Sequence, residues 1–198
     1  RAASRHHRRT AMNLIFLKPE AVPEATVLDY KAEHLRHGED KIHGSALLDA
    51  LDYAEWLQRV RDNADARTVL AGWAVASTFF AIRETDGRIV GMADIRHSLE
   101  SAFLRRYGGH IGYGVRPTER RKGYATRILR MALDYARGLS LDTAMLGCTK
   151  ENAASRRTIL RCGGVLERED VFEGSPVEIY RIDLRPASQD QAVSSQAR

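Results

Sequence analysis

Apolar residues change their spacing several times along this chain of 198 residues, and the changes mark out its elements. Leu14 to Leu17 is a short apolar run closed by Lys18-Pro19, which predicts a first strand. Ala25, Leu28, Ala32 and Leu35 then recur at helical spacing, with Pro23-Glu24 opening the helix and Gly38 ending it. Ser45 is a candidate cap for a second helix with Leu47, Leu51, Ala54 and Leu57 down one side. The period then shortens. "TFFAIRETDGRIVGMADIRH" holds two apolar runs joined by Asp86-Gly87, a strong hairpin signal, and "HIGYGV" is a further strand ending at Pro117. Ala125, Ile128, Leu129, Ala132, Leu133 and Ala136 form the inner stripe of a long helix, with Arg127, Arg130, Asp134 and Arg137 outside and Gly138 at its end. "TAMLGCT" reads as a buried strand, Asn152 to Arg161 as a helix stopped by "CGG", and "VLEREDVF" and "VEIYRIDL" as two last strands.

The predicted order is β-α-α-β-β-β-α-β-α-β-β, without internal repeats. It implies an α/β architecture, a mixed sheet with helices on both faces. Hydrophobic residues at 43% and charged residues at 29% are ordinary for a soluble globular domain. No run approaches the ~18 apolar residues of a membrane span, and the N-terminal arginines lack the apolar run of a secretory signal. Two cysteines, Cys148 and Cys162, are too few for a disulfide scaffold or a zinc knuckle, and read as reduced thiols in a cytoplasmic protein. The net charge of +5 is concentrated at one end: Arg1, Arg5, Arg8 and Arg9 carry four units, Asp190 and Arg198 cancel, and the body is left near +1. A nearly neutral body is no footprint for nucleic acid. A nucleic-acid-binding reading would have to rest on the arginine arm alone. Residues 1–11 read as a flexible basic arm or an expression remnant before Met12, residues 12–185 as one domain, and residues 186–198 as a flexible tail.

The chemistry concentrates in "RRKGYATRIL", Arg120 to Leu129. Three cations precede a glycine between a strand and a helix, where freed backbone N–H groups and the helix dipole both favour an anion. Gly123 permits a backbone that a side chain would forbid. The P-loop pattern Gly-x-x-x-x-Gly-Lys-Ser/Thr is absent, and "GHIGYG" leads into a strand's end and not into a helix, unlike a dinucleotide fingerprint.

"VRPTERRKGYA" resembles the coenzyme A-binding signature of the GNAT superfamily of acetyltransferases, Arg/Gln-x-x-Gly-x-Gly/Ala, met by Arg120, Gly123 and Ala125. "ENAASRRTILRCGG" resembles the family's Asn-x-x-Ala…Gly segment through Asn152, Ser155 and Gly163, and element order agrees from about Leu14 to Leu184. The resemblance implies a mostly antiparallel central sheet with helices on both faces and a GNAT-like acyl-CoA N-acyltransferase fold. It implies an enzyme moving an acetyl group from acetyl-CoA to a primary amine, with no metal. Main-chain groups of Tyr113 and Val115 would pair with the pantetheine arm as an added strand. Amides of Arg121, Lys122, Gly123, Tyr124, Ala125 and Thr126 would hold the pyrophosphate, supported by Arg120, Arg121 and Lys122. Asn152, Ser155 and Arg156 would lie along the coenzyme. The acceptor is a small-molecule or protein amine, and a homodimer is compatible with the fold.

Two positions depart from the family pattern. The tyrosine that many members carry seven residues after the asparagine is here Ile159, and Gly164 follows Gly163 where an aromatic is usual. An acyl-CoA-binding module without turnover is therefore the alternative. Tyr113 is the favoured proton-handling residue, since the face of "HIGYGV" bearing Ile111 and Tyr113 is expected to look toward the acceptor. His110, His97 and Glu100 are further candidates. Cys148 reads as a core residue and not as an acyl carrier. His34 and His37 are three apart on a helix, but no Asp, Glu or Cys pattern completes a metal set with His43. The segment from His37 to Ser45, with Glu39, Asp40 and Lys41, is expected to overhang the acceptor site.

Overall fold

In the computed structural model, which describes residues 13–185, the first sheet is antiparallel throughout. It runs in the order β1 (Leu14–Leu17), β2 (Ala76–Arg83), β3 (Arg88–Arg96), β4 (Ile111–Val115). The arm 1–11 and the tail 186–198, with what was expected of them, lie outside the described residues. Asp86-Gly87 closes the β2–β3 hairpin as expected, Gly87 taking a φ of 69°. A second antiparallel sheet is formed by β5 (Thr143–Thr149), β6 (Val165–Phe172) and β7 (Ser175–Asp183), with β7 in the middle. The α/β architecture with helices on both faces is thus present, and its central sheet is parted into two halves.

Strand alternation decides which helices cover which face. Phe80, Ile82 and Met92 point to one side of the first sheet, where α1 (Glu24–Arg36) and α2 (Tyr53–Asn63) bury Val27, Tyr30, Trp56 and Val60 on them. Ala93, Ile95 and Ile111 point to the other side. There α3 (Tyr124–Gly138) buries the expected stripe of Ile128, Leu129, Ala132 and Leu133. The same stripe packs on Ala144, Leu146 and Tyr180 of the second sheet, so α3 is the beam that joins the halves. Beside it lies α4 (Ala153–Arg161), with Ile159 fully enclosed.

One element is displaced from its expected place. Ser45 does not cap a helix; α2 starts eight residues later, where Asp52 accepts the N–H of Glu55 at 2.8 Å. Ala46 and Leu47 take φ values of 51° and 73°, which no helix accommodates. Ser45 instead organises a turn: its Oγ accepts the N–H of Leu48, and its carbonyl accepts Trp56 Nε1 at 2.7 Å. The predicted side is not the buried one: Leu47 is exposed, and Leu48, Trp56 and Val60 enter the core instead.

Buried charge holds α1 against the strand leading to α3. Arg116, 2% exposed, donates from Nε to Glu33 at 2.6 Å, and Glu33 also accepts the N–H and hydroxyl of Thr118 at 3.1 and 2.8 Å. Burial alone would raise the Glu33 carboxyl, but the hydrogen bonds from Thr118 and Arg116 outweigh it and hold it down to about 2. A carboxyl depressed in this way stabilises the fold above its unfolded value of 4.5, and the contribution fades as pH falls toward 2. We expect Glu33→Gln to cost about 2 kcal/mol at neutral pH, because it takes from a buried guanidinium one of its two carboxylate partners, Glu33 and Asp29. Urea midpoints followed from pH 7 to 2 should then lose much of their acid-side decline; an acid limb as steep as in the parent would exclude Glu33 as its source.

Candidate active site at the parted strands

The two half-sheets meet at one end of β4 and β5 and separate at the other. At the joint, Gly109 bridges Leu146, and His110 donates its N–H to Met145 O at 2.7 Å. The N–H of Met145 goes to a side chain, His110 Nδ1, at 3.0 Å. Gly109 has a φ of 66°, and a Cβ there would lie 2.2 Å from Met145 O, so only glycine lets the strands approach this closely. Past the joint, His110 O and Arg116 N–H bond to Arg96 and Val90 of the first sheet, at 2.7 and 2.8 Å. Alternation then turns the N–H and C=O of Tyr113 the opposite way, toward β5, where no strand pairs with β4 among the described residues. An extended ligand arm fits such an edge.

The gap runs toward the basic turn. After Pro117–Glu119, a single 3-10 turn, Arg121 and Gly123 take φ values of 62° and 88°, and α3 begins. The N–H groups of residues 121–126 have no acceptor among the described residues. Six free amides at the start of a fifteen-residue helix form an anion cradle. Tyr124 offers only its amide, since its ring is buried and its hydroxyl accepts from Arg83 at 3.0 Å.

Two of the cations expected to face a phosphate are otherwise engaged. Arg120 forks both terminal nitrogens onto the carboxylate of Glu39 and donates from Nε to Val115 O at 3.1 Å. Lys122 lies 3.0 Å from Glu119, which also binds Arg83 and Arg88 at 2.9 Å each. These side chains brace the turn, and Arg121 alone of the three has no ion pair among the described residues. Glu39 was expected over the acceptor site and instead pairs with Arg120, 81 residues away, a contact that no linear pattern announces.

On the α4 side, Asn152 caps the helix, its Oδ1 accepting the N–H of Ser155 at 3.0 Å. Ser155 Oγ shares a hydrogen bond of 3.0 Å with Tyr113 Oη. Arg156 reaches down to buried Glu178 at 3.3 Å, which Tyr180 Oη holds at 2.6 Å. Tyr113, Ser155 and Arg156 are thus brought to one flank of the gap. Burial pushes the Tyr113 phenol up to about 12 in spite of Ser155, so the group is a proton donor and not a base at neutral pH. Burial likewise raises both cysteine thiols, Cys148 and Cys162, which argues against a thiolate nucleophile.

The face of β4 that bears Ile111 and Tyr113 turns toward α3. Ile111 and Val115 are buried against α3, and Tyr113 packs with them. It is the glycine face of β4 that meets the overhanging loop: a Cβ on Gly114 would stand 2.6 Å from His43 O, and one on Gly44 2.7 Å from Gly112 O. Three other candidates are also redirected. His110 spends its Nδ1 lone pair on Met145, and burial, with Arg181 and Arg96, keeps its ring neutral. His97 shares a 2.9 Å hydrogen bond with Ser77, itself 2.8 Å from Tyr135 Oη on α3, eleven residues beyond the helix start. Glu100 is exposed and accepts from Ser98. His34 does not join a metal set: buried at 2% exposure, it donates from Nδ1 to Glu39 at 2.7 Å. No group of three metal-ligating side chains is assembled among the described residues, and no helix there is long and apolar enough to cross a membrane.

Comparison with known proteins places this geometry. The model of the acetyltransferase (GNAT) family matches residues 44–163. Comparison with curated protein sequences gives no match. Among solved structures, yncA of Salmonella typhimurium, described as a putative acetyltransferase with its cofactor acetyl-CoA, aligns with a TM-score of 0.60 at 18% identity over 90% of this chain and 97% of its own. The ribosomal-protein-S5-alanine acetyltransferase of Vibrio fischeri gives 0.62 at 17% identity, over 87% and 94%. The spermidine/spermine N-acetyltransferase SpeG of Vibrio cholerae, in mutant form, gives 0.58 at 17%, over 86% and 94%.

Proposed function

Because the chain belongs to the acetyltransferase (GNAT) family, we propose that it transfers an acetyl group from acetyl-CoA directly to a primary amine. The observation that carries this reading is the gap beside Tyr113 running into a turn whose six amides lack acceptors among the described residues. A diphosphate is the anion that such a cradle suits, and a pantetheine-like arm is the strand that such an edge lacks.

The residues divide the work by face. The amides of residues 121–126 hold the diphosphate, with Arg121 adding charge and Arg120, Lys122, Glu39 and Glu119 fixing the turn. The Tyr113 main chain pairs with the arm along β4. Asn152 acts through the start of α4, where Ser155 and Arg156 flank the coenzyme. The amine enters from the glycine face of β4, loses a proton to water, and attacks the thioester carbon; the C–S bond breaks as the C–N bond forms. Tyr113, aimed at Ser155 on the thiol's side, donates a hydrogen bond to the departing sulfur. Full proton transfer would run uphill, because an ordinary thiol titrates near about 8.5, so its contribution is charge stabilisation.

Tyr113→Phe is expected to lower kcat about 10- to 100-fold while coenzyme affinity stays within about twofold. Steady-state thiol release with a panel of amines measures the first, calorimetric titration with acetyl-CoA the second. An unchanged kcat removes Tyr113 from the chemistry. Ile159 favours a second reading, an acyl-CoA-binding module; tight acetyl-CoA binding with no thiol release from any amine would select it.

A further inference from the structure

Arg96, at the end of β3, was not among the residues singled out by sequence. It stands on the face away from α3, where Thr78, Asp94 and Gly112 lie side by side across three strands. Thr78 Oγ1 donates to Asp94 Oδ1 at 2.9 Å, and Asp94 Oδ2 lies 3.2 Å from Arg96 Nε. Asp94 is only 5% exposed, so the guanidinium is anchored from beneath by a fixed carboxylate. Nη1 lies 3.5 Å from the carbonyls of Gly108 and Gly109, at the joint of the half-sheets. Nη2 passes over Gly112, where an added Cβ would be 3.5 Å away. Among the described residues Nη2 has no acceptor, and the Arg96 side chain keeps 24% of its surface exposed.

The geometry points to Arg96 as a carboxylate anchor, which makes the acceptor an amine that also bears a carboxylate, of the amino-acid class. This rests on the acetyltransferase reading, since it takes the glycine face of β4 as the acceptor side. An arginine held by one carboxylate along its Nε edge keeps its outer N–H groups for a second. Gly112 lets the guanidinium lie close over the strand, and the joint beside it is where the gap narrows toward a reacting carbonyl. The surrounding charge agrees: Asp94 is already paired, and the charged groups acting on neighbouring His110 are Arg181 and Arg96, both cationic. A polyamine would bring like charge to this end of the cleft.

The test compares N-acetylated amino acids with their carboxamides, pairs that differ only in the carboxylate, titrated calorimetrically into the protein with and without coenzyme A. The acid is expected to bind at least about tenfold tighter than the amide, Arg96→Gln to erase the difference, and Arg96→Lys to keep part of it. Thermal midpoints of both variants guard against unfolding, with Arg96→Lys retaining the charge opposite Asp94. In turnover, Arg96→Gln should raise KM for amino acids about tenfold or more and leave acetyl-CoA affinity unchanged. Equal binding of acid and amide, no binding of either, or a preference that survives Arg96→Gln would overturn the assignment. Failure of acetyl-CoA itself to bind would instead strike the acetyltransferase reading, and the paired titration without coenzyme would still report on Arg96.

Discussion

Gly123→Asp is expected to weaken acetyl-CoA binding at least about 100-fold, a loss of about 3 kcal/mol. The position has a φ of 88° and caps α3 at the centre of the amide cradle. A carboxylate there adds negative charge where the diphosphate would sit, and its oxygens can satisfy the same N–H groups from within. Aspartate tolerates left-handed backbone better than most residues, so the fold should survive with a modest loss of stability. Gly123→Ala, which brings the backbone cost without the charge, should lose only about tenfold. Calorimetry on both variants separates the contributions. Undiminished affinity in Gly123→Asp would remove the diphosphate from this turn, and the functional proposal with it.

The second large effect is on stability. Gly109→Ala puts a Cβ 2.2 Å from Met145 O at a φ of 66°, where the half-sheets touch. The left-handed backbone costs about 1–2 kcal/mol, and relieving the clash by backbone movement about 1–3 more. Gly87→Ala is the matched control, because its φ is 69° and none of the described residues lies within 4 Å of its added Cβ. Urea unfolding should therefore show Gly109→Ala losing several kcal/mol where Gly87→Ala loses about 1. Equal losses would mean that the close approach at the joint contributes nothing.

What the sequence made legible was local. Asp86-Gly87 announced its hairpin, the apolar stripe from Ala125 to Ala136 announced the beam across both half-sheets, and "TAMLGCT" and "VLEREDVF" coincide with β5 and β6 residue for residue. The basic turn was visible because its cause, glycine before a helix, is local too. Long-range facts were hidden. That Arg120 turns to Glu39, or that His110 accepts from Met145, depends on which strands lie side by side. The start of α2 misled because Leu47 and Leu51 continue the spacing of Leu57 backward into a segment that is a loop, whose buried residue is Leu48. The surroundings of Tyr113 were hidden for a related reason. Alternation fixes which residues share a side, and only the packed helices decide which side is which.

Ile159 has a consequence for how this chain can change. It is fully enclosed, and a Cβ on Gly164 would come within 2.4 Å of its Cγ2, so neither position tolerates growth alone. A tyrosine ring substituted there would overfill the core and cost about 1–3 kcal/mol before it could serve any chemistry. The helix has in effect surrendered that turn to packing, and a lineage starting from this sequence would need paired substitutions to recover it. Any gain in acidity must instead come from a strand whose backbone also borders the gap, which ties two traits to one short stretch of β4.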